Sequence, residues 1–128
     1  MKLGLAGKRA LVTGASHGIG LAIVEALVAE GVAVALLARD EARLEQVASR
    51  LALSGATVLT LVADALLDEE ISNAWAKVEA AWGGVDILIN NVGGGGRWGA
   101  EDILETSPKV WGEVYQKNTG VAIQLITL

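Results

Sequence analysis

A glycine-rich segment near the start of the chain has the residue types and the spacing to bind phosphate. Residues 13–20 read Thr-Gly-Ala-Ser-His-Gly-Ile-Gly, between a short apolar run at residues 9–12 and a helical pattern at residues 19–30. Glycines let a backbone approach a diphosphate closely, and the first turn of a helix offers unpaired N–H groups with a partial positive charge. The spacing therefore predicts a phosphate-binding turn between a strand and a helix.

The end of the next apolar run indicates which dinucleotide this turn would prefer. Folds that select NAD place a carboxylate about twenty residues beyond the glycine turn, where it holds the ribose 2′-hydroxyl. This chain has Ala38 and then Arg39, which leaves room for a 2′-phosphate and supplies a cation to bind it. His17 is a candidate second donor to that phosphate, and Asp40 is explained as a helix cap. Arg39 and His17 also have a simpler explanation as solvated surface side chains.

Asparagines in two later segments are further candidates for a ligand site. Residues 90–93 read Asn-Asn-Val-Gly at the end of the fourth apolar run, and Asn118 lies in a helical pattern that follows Ser107-Pro108. Open α/β sheets bind ligands outside the carboxyl ends of their strands. A buried asparagine within a helix is unusual because its amide must find partners.

These features together resemble the short-chain dehydrogenase/reductase family. The resemblance is carried by the G-x-x-x-G-x-G spacing, by residues 90–93, where the family has Asn-Asn-Ala-Gly and valine replaces alanine here, and by Asn118. Arg39 resembles the residue found in NADP-preferring members. The resemblance implies reversible alcohol–carbonyl oxidoreduction on a small-molecule substrate, with NADP(H) preferred over NAD(H).

The resemblance also implies which residues bind the coenzyme. Asp64, after the third strand, would hydrogen-bond the adenine ring, although a turn-forming aspartate explains it equally well. Gly93 would leave space for the adenosine ribose, and Asn118 would be catalytic, holding a water in a proton relay. No metal site is predicted. The predicted coenzyme-binding residues are Gly14, Ser16, His17, Gly18, Ile19, Gly20, Arg39, Asp64, Asn90 and Gly93.

The rest of the family's catalytic set is not recognisable in these residues. The family uses a tyrosine with a lysine four positions later, which lowers the tyrosine pKa, and a serine upstream. Tyr115 is the one tyrosine, Thr119 stands four positions later, and Lys117 is only two positions away. The resemblance covers the N-terminal half of a typical member. We therefore expect the chain to bind the adenosine half of a dinucleotide without reducing a carbonyl.

Two alternatives to a dehydrogenase remain open from the sequence. The first is a non-catalytic nucleotide-binding or assembly module that keeps the fold without the reaction. The second is a flavodoxin-like regulator or phosphate-binding protein, which shares the α/β pattern. The second alternative does not explain residues 90–93 together with Asn118.

Alternating strand and helix patterns must position these residues. Strands are predicted at residues 9–13, 32–37, 57–62 and 85–90, and helices at residues 19–30, 40–53 and 68–82. The alternation predicts an α/β fold, a Rossmann-like three-layer sandwich with a parallel sheet and helices on both faces. The implied strand order is 3-2-1-4. Asp40 and Asp68 are the predicted N-caps of the second and third helices, and Gly31 ends the first. The third helix has a predicted buried stripe: Ile71, Trp75, Val78 and Trp82.

Composition excludes several classes of function. The 128 residues predict a single domain, and the hydrophobic fraction of 52% suits a parallel sheet covered on both faces. A net charge of −5 argues against a nucleic-acid interface, and the absence of cysteine excludes disulfides and thiolate metal sites. No apolar stretch is long enough to span a membrane, and the first residues do not resemble a secretory signal. A cytoplasmic protein is expected.

Apolar residues at the end of the sequence predict self-association. The fourth strand would form an unpaired sheet edge beside the last helix, and such edges favour pairing with another chain. Exposed apolar side chains of this extent indicate an interface, which predicts a homo-oligomer or, as the alternative, a fragment cut from a longer chain. The side chains concerned are Val121, Ile123, Leu125, Ile126 and Leu128.

Overall fold

A parallel four-stranded sheet organises the chain. The computed structural model describes residues 4–64 and 66–91 together with Lys109 and Ile126, both of which are helical. The elements in chain order are β1 (Arg9–Thr13), α1 (Gly18–Ala29), β2 (Ala33–Ala38), α2 (Glu41–Leu53), β3 (Val58–Val62), α3 (Asp68–Trp82) and β4 (Ile87–Ile89). The strand order is β3-β2-β1-β4, as the sequence predicts. Three strands differ by one or two residues from their predicted ends.

The register aligns the carboxyl ends of the strands at one edge of the sheet. Val12 of β1 pairs with Leu36 of β2 on one side and with Ile89 of β4 on the other. Leu36 pairs in turn with Thr60 of β3. The loops that follow β1, β2, β3 and β4 therefore leave the sheet side by side, where parallel α/β sheets bind ligands.

Two apolar layers cover the two faces of the sheet, which confirms the predicted three-layer sandwich. Alternate residues of β1 and β2 face α1 and α2, where Val24, Leu44 and Val47 are buried against them. The residues between them face α3, where Ile71 and Val78 are fully buried. Strands buried on both faces read as continuous apolar runs because neither face meets water.

The predicted buried stripe of α3 is confirmed at Ile71 and Val78, whereas its two tryptophans are only partly buried. Ile71 and Val78 are fully buried and Ala74 is almost so, whereas Trp75 and Trp82 are half-buried and pack on the edge of the same cluster. The indole rings are too large for the narrow space between helix and sheet. They cover its rim instead.

Helix ends agree with the sequence for α1 and α2. Asp40 caps α2, since its Oδ1 accepts a hydrogen bond from the Arg43 N–H at 3.1 Å. Gly31 follows the end of α1 with a φ of +80°, a conformation that favours glycine. The α1 helix begins at Gly18, one residue before the predicted start.

The prediction that Asp68 caps α3 is wrong. Leu67 is the N-cap residue and Asp68 is the first residue of the helix, with no side-chain cap. The reason is a turn just upstream, in which the Leu67 N–H donates to the Asp64 carbonyl at 3.0 Å. Glu70, the third residue of α3, contacts the same turn, since its Oε1 accepts from the Asp64 N–H at 3.0 Å. The predicted helix after Pro108, with Trp111 and Asn118, lies outside the described residues apart from its helical Lys109.

Long-range contacts of Arg9 join the first strand to the end of α3. Its guanidinium donates to the Trp82 carbonyl and lies 5.8 Å from the centroid of the Trp82 ring. Its backbone N–H donates to the Asp86 carboxylate at 3.0 Å. The last turn of α3 has no basic residue of its own, so Arg9 supplies the cation that stabilises a helix C-terminus.

Among the helices of the described residues, none has the length and apolar character of a membrane span.

Replacing Arg9 with methionine tests this contact. Arg9→Met keeps the apolar stem but removes the hydrogen bond to Trp82 and the cation above its ring, so we expect a loss of about 1 kcal/mol in the free energy of unfolding. Urea denaturation followed by tryptophan fluorescence measures it. Lys8→Met, at the exposed neighbouring position, is the matched control and should change stability by less than about 0.5 kcal/mol. Equal effects of the two substitutions would contradict the assignment.

Candidate functional site

The loop between β1 and α1 forms an open backbone cradle at the carboxyl edge of the sheet. Gly14 and Gly18 have φ angles of +63° and +58°, and the Ala15 N–H donates to the Leu37 carbonyl at 3.3 Å, which holds the loop against β2. The first helical hydrogen bond of α1 runs from the Leu21 N–H to His17 O at 3.3 Å. The N–H groups of residues 18–20 therefore have no acceptor within the helix.

Gly20 is the point at which α1 touches the end of β1. A Cβ atom at this position would overlap the Gly14 carbonyl oxygen and would lie 2.6 Å from Asn91 Nδ2. At Gly18, by contrast, a Cβ would meet no described residue within 4 Å. Glycine at 20 is thus required by packing inside the loop. Packing among the described residues makes no such demand at Gly18, whose φ of +58° is nevertheless one that favours glycine.

A side-chain clamp joins the glycine loop to the end of β4. Thr13 is 1% exposed, and its Oγ1 donates to the Ile89 carbonyl at 3.3 Å and accepts from the Asn91 N–H at 2.9 Å. Asn91 Nδ2 donates to the Gly14 carbonyl at 3.3 Å. Both residues act on the loop but are absent from the predicted site. Their positions in the sequence could have identified them, since each lies at the carboxyl end of a predicted strand beside a predicted site residue.

The predicted residues of the loop occupy different environments. Ser16 is 5% exposed, and its Oγ lies 3.3 Å from Nδ1 of the exposed His17. His17 is the N-cap residue of α1 but makes no capping hydrogen bond with its side chain. Ile19, in the first turn of the helix, is 73% exposed, a large apolar side chain next to the cradle.

The charged residues beyond the loop differ in whether their side chains have a hydrogen-bond partner among the described residues. Arg39 is exposed, and no hydrogen bond or ion pair of its side chain is recorded within the described part of the chain. Asp40 is occupied by its capping bond to α2. Asp64 forms a turn, since its Oδ1 accepts from the Leu66 N–H at 2.9 Å. The turn-forming explanation of Asp64 is therefore present in the structure, and its second carboxylate oxygen has no recorded partner among the described residues.

The remaining predicted residues are only partly described. Asn90 is exposed at the end of β4, whereas the neighbouring Asn91 makes the contacts to the loop. Gly93 and Asn118 lie outside the described residues. Within residues 4–64 and 66–91, no group of histidine, aspartate and glutamate side chains has the arrangement of a metal site.

Comparison with protein families decides the classification. A family model described as short chain dehydrogenase matches residues 8–128, nearly the whole chain. The chain belongs to the short-chain dehydrogenase family. The family resemblance predicted from the glycine spacing and residues 90–93 is confirmed.

Solved structures of this family share the fold of the chain closely. L-Sorbose reductase from Gluconobacter frateurii, in complex with NADPH and L-sorbose, matches with a TM-score of 0.92 and 35% identity over 99% of this chain and 48% of that one. A metagenomic short-chain oxidoreductase in complex with NADP matches with a TM-score of 0.88 and 32% identity, over 96% of this chain and 55% of that one.

Relatives in the family are substantially longer than this chain. Gluconate 5-dehydrogenase from Gluconobacter oxydans is 37% identical over 114 residues, which are 89% of this chain and 43% of the relative. An uncharacterized oxidoreductase from Staphylococcus saprophyticus is 44% identical over 87 residues, 67% of this chain and 37% of the relative. The chain thus spans less than half the length of these two family members.

Gly20→Ala tests whether helix and strand meet without room for a side chain. The new Cβ would force α1 away from Gly14 and Asn91, so we expect a loss of about 2–4 kcal/mol in the free energy of unfolding. Ala22→Ser adds one atom to an exposed position of the same helix and should cost less than about 0.5 kcal/mol. Thermal and urea unfolding followed by circular dichroism compare the two. A Gly20→Ala protein as stable as the control would refute the close approach.

Two substitutions of Thr13 test whether the clamp depends on its hydroxyl group or on the volume of its side chain. Thr13→Val keeps the volume but leaves Ile89 O and the Asn91 N–H without their partner, which costs about 1–3 kcal/mol. Thr13→Ser keeps the hydroxyl, so hydrogen exchange of the Asn91 amide should stay slow in this variant and become faster in Thr13→Val. If the amide exchanges equally fast in both variants, the clamp does not depend on the hydroxyl.

Proposed function

We propose that the chain is the coenzyme-binding part of an alcohol–carbonyl oxidoreductase that prefers NADP(H) over NAD(H). The observation that carries this proposal is the backbone cradle at Gly14–Gly20 beside the exposed Arg39 guanidinium, which has no hydrogen-bond or ion-pair partner among the described residues. The NADP(H) complexes of similar family members support the same assignment. The protein is proposed to be a single coenzyme-binding domain that associates with copies of itself.

The residues of the cradle fit a dinucleotide diphosphate. Gly18 presents open space where a side chain would stand, and the N–H groups of residues 18–20 have no acceptor in the helix. A diphosphate bound there would accept hydrogen bonds from backbone N–H groups and gain from the positive end of the α1 dipole. Ser16 and Ile19 would border it, the first with a hydroxyl and the second with an exposed apolar surface.

The 2′-phosphate of the adenosine ribose would be bound by Arg39. Ala38 is small and buried, so it leaves space at the end of β2. The Asp40 carboxylate, the nearest acid in sequence, is turned to the Arg43 N–H and does not compete for the guanidinium. A charge-assisted hydrogen bond of this kind contributes about 1.5–3 kcal/mol, roughly tenfold to a hundredfold in affinity.

The adenosine would extend from the cradle along the carboxyl edge of the sheet. Asp64 has one carboxylate oxygen in its turn and a second that is available to the adenine ring. Asn90 and Gly93 are proposed to border the ribose, and Asn118 to hold a water for proton transfer, on the family resemblance. Asn91 and Thr13 position this edge through the clamp to Gly14.

When bound, the nicotinamide coenzyme would donate or accept the hydride of the reaction. The chain's own residues would bind the coenzyme through the backbone N–H groups at the start of α1. Within these 128 residues, Tyr115 is not followed by a lysine four positions later. We therefore propose that the chain by itself binds coenzyme without turning over a carbonyl substrate.

Coenzyme titration of the wild type and Arg39→Asp tests the proposed preference. The wild type should bind NADPH at least about tenfold more tightly than NADH, because only NADPH offers a phosphate to the guanidinium. Arg39→Asp should abolish or reverse the preference, since a carboxylate repels the phosphate and can hold the 2′-hydroxyl. Isothermal titration calorimetry measures the four dissociation constants.

The matched control for this experiment is Lys77→Asp. Lys77 is exposed on α3, on the opposite face of the sheet from α1 and α2, and its replacement changes the net charge by the same amount. The NADPH preference should stay at its wild-type value in this variant. Equal wild-type affinities for the two coenzymes, or binding of neither, would refute the role of Arg39 and with it the proposed coenzyme.

A further inference from the structure

We propose that two copies of this chain pair through the outer side of β3, antiparallel to each other, with Thr60 on the twofold axis. The inference rests on the part of the proposed function in which the chain associates with copies of itself, and it assigns that association to one surface. It uses no residue of the proposed coenzyme site. Two four-stranded sheets would join into one continuous sheet.

The strand β3 is an outer strand of the sheet and is open to another chain. Among the described residues, β2 is its strand neighbour on one side and no strand lies on the other. The helices do not fully cover this outer side, since Thr60 is half-buried and Val62 is 43% exposed. The strand contains no charged residue and no proline, which commonly prevent an outer strand from pairing.

Alternate residues of β3 direct their backbone groups to the outer side. The Val34 N–H donates to the Thr57 carbonyl, and the Ala63 N–H donates to the Ala38 carbonyl, both at 3.0 Å. In a strand, the N–H and C=O of one residue point to the same neighbour, and those of the next residue point to the opposite side. The odd-numbered residues therefore bond to β2. The outward groups belong to residues 58, 60 and 62.

The sequence of β3 reads the same in both directions. Residues 58–62 are Val-Leu-Thr-Leu-Val, with Thr60 at the centre. A twofold axis at Thr60 places Val58 of one copy opposite Val62 of the other and the two Thr60 residues opposite each other. Each of the three outward-facing residues then meets an outward-facing residue, which is the hydrogen-bonded pair of an antiparallel ladder. This register uses every outward N–H and C=O of the strand.

The side chains of the paired strands also match. Val58 packs on the layer of α1 and α2, whereas Leu59 and Leu61 pack on the layer of α3. Directly opposite residues share a face of the sheet, so valine would meet valine on one face and leucine would meet leucine on the other. The two Thr60 side chains would meet at the axis, and threonine pairs stabilise antiparallel strands. The exposed side chain of Val62 would be covered.

Charges at the two ends of β3 favour the antiparallel arrangement. Asp64 and Asp68 follow the strand, whereas the turn before it, residues 54–57, reads Ser-Gly-Ala-Thr and carries no charge. Antiparallel pairing sets each acidic end beside an uncharged turn, while parallel pairing would bring like charges together. It also brings Leu53, which is exposed before the strand, to the same end as Leu67, which is exposed after it.

The size of this surface predicts a weak and reversible dimer. The strand has five residues. Stable interfaces bury about 1,200–2,000 Å² and involve about 20–30 residues of each partner, so a single strand with its flanking side chains falls at or below this range. The dimer should therefore dissociate on dilution. The pairing ends at two copies, because each copy has one outer side of β3 to offer.

Sedimentation velocity over a dilution series of the 128-residue chain measures the pairing. The weight-average mass of the wild type should rise from 13.2 kDa towards twice that value as the concentration increases. Thr60→Lys should weaken the dimer at least about tenfold, because two ammonium groups would meet at the axis. Ala26→Lys, at an exposed position of α1, changes the net charge equally and should dimerise like the wild type.

Single-cysteine variants test the register, since the chain has no cysteine of its own. In the proposed dimer the two Cα atoms of position 60 lie about 5.5 Å apart, within the range of a disulfide. The two Cα atoms of position 62 lie roughly 13 Å apart or more, because four residues of strand separate them. Under mild oxidation Thr60→Cys should form a cross-linked dimer, and the more exposed Val62→Cys should not.

Two outcomes would overturn the role of β3 alone. The first is dimerisation of Thr60→Lys as strong as that of the wild type, which would place the association on another surface. The second is cross-linking of Val62→Cys as fast as that of Thr60→Cys. Cysteine is close to threonine in volume, so the cross-linking result decides the question even if Thr60→Lys does not fold, which circular dichroism detects.

Failure of the proposed function gives different results. A wild type that stays monomeric at every concentration overturns the proposed self-association and this inference with it. A wild type that dimerises through β3 but binds neither NADPH nor NADH overturns the proposed coenzyme site and leaves this inference standing. Thr60→Lys should bind NADPH with the affinity of the wild type.

Discussion

The contact between Gly20 and the Gly14 carbonyl is the constraint on which the candidate site depends. The first turn of α1 packs directly on the turn that ends β1, with no space for a side chain between them. The N–H groups of residues 18–20 begin the helix beside this contact and have no acceptor within it. The geometry of this loop is set by its backbone, and glycine is needed at position 20 because it has no side chain.

Hydrogen bonds from side chains give this edge a rigidity that apolar packing alone does not provide. The strand β4 has three residues, all half-buried, and so contributes little buried surface. Thr13 and Asn91 connect its end to β1 and to the glycine loop with directional bonds. The position of the loop is therefore set from two sides, by Leu37 of β2 and by the residues that follow β4.

The sequence predicted the architecture well because its signals are local. Continuous apolar runs predicted the four strands, and Asp40 and Gly31 predicted the ends of two helices correctly. The cap at Asp68 was mistaken because the turn that starts at Asp64 places Leu67 at the cap position, and an acidic pattern at residues 68–70 does not distinguish a cap from a first helical turn. The clamp was missed because its partners lie 76 to 78 residues apart in sequence. Exposed side chains such as Arg39 and His17 are not fixed by packing in the described part of the chain, so their roles stay predictions.

The two ends of the sheet carry different kinds of connection. The loops of the candidate site leave the carboxyl ends of the strands, while α1, α2 and α3 all finish at the amino ends, in turns that contain Gly31, Gly55 and Gly83. At Gly55 a Cβ would meet nothing within 4 Å, and nearby Leu53 is 90% exposed. A tether inserted in that turn would anchor the protein to a solid support with the carboxyl edge of the sheet directed away from the attachment.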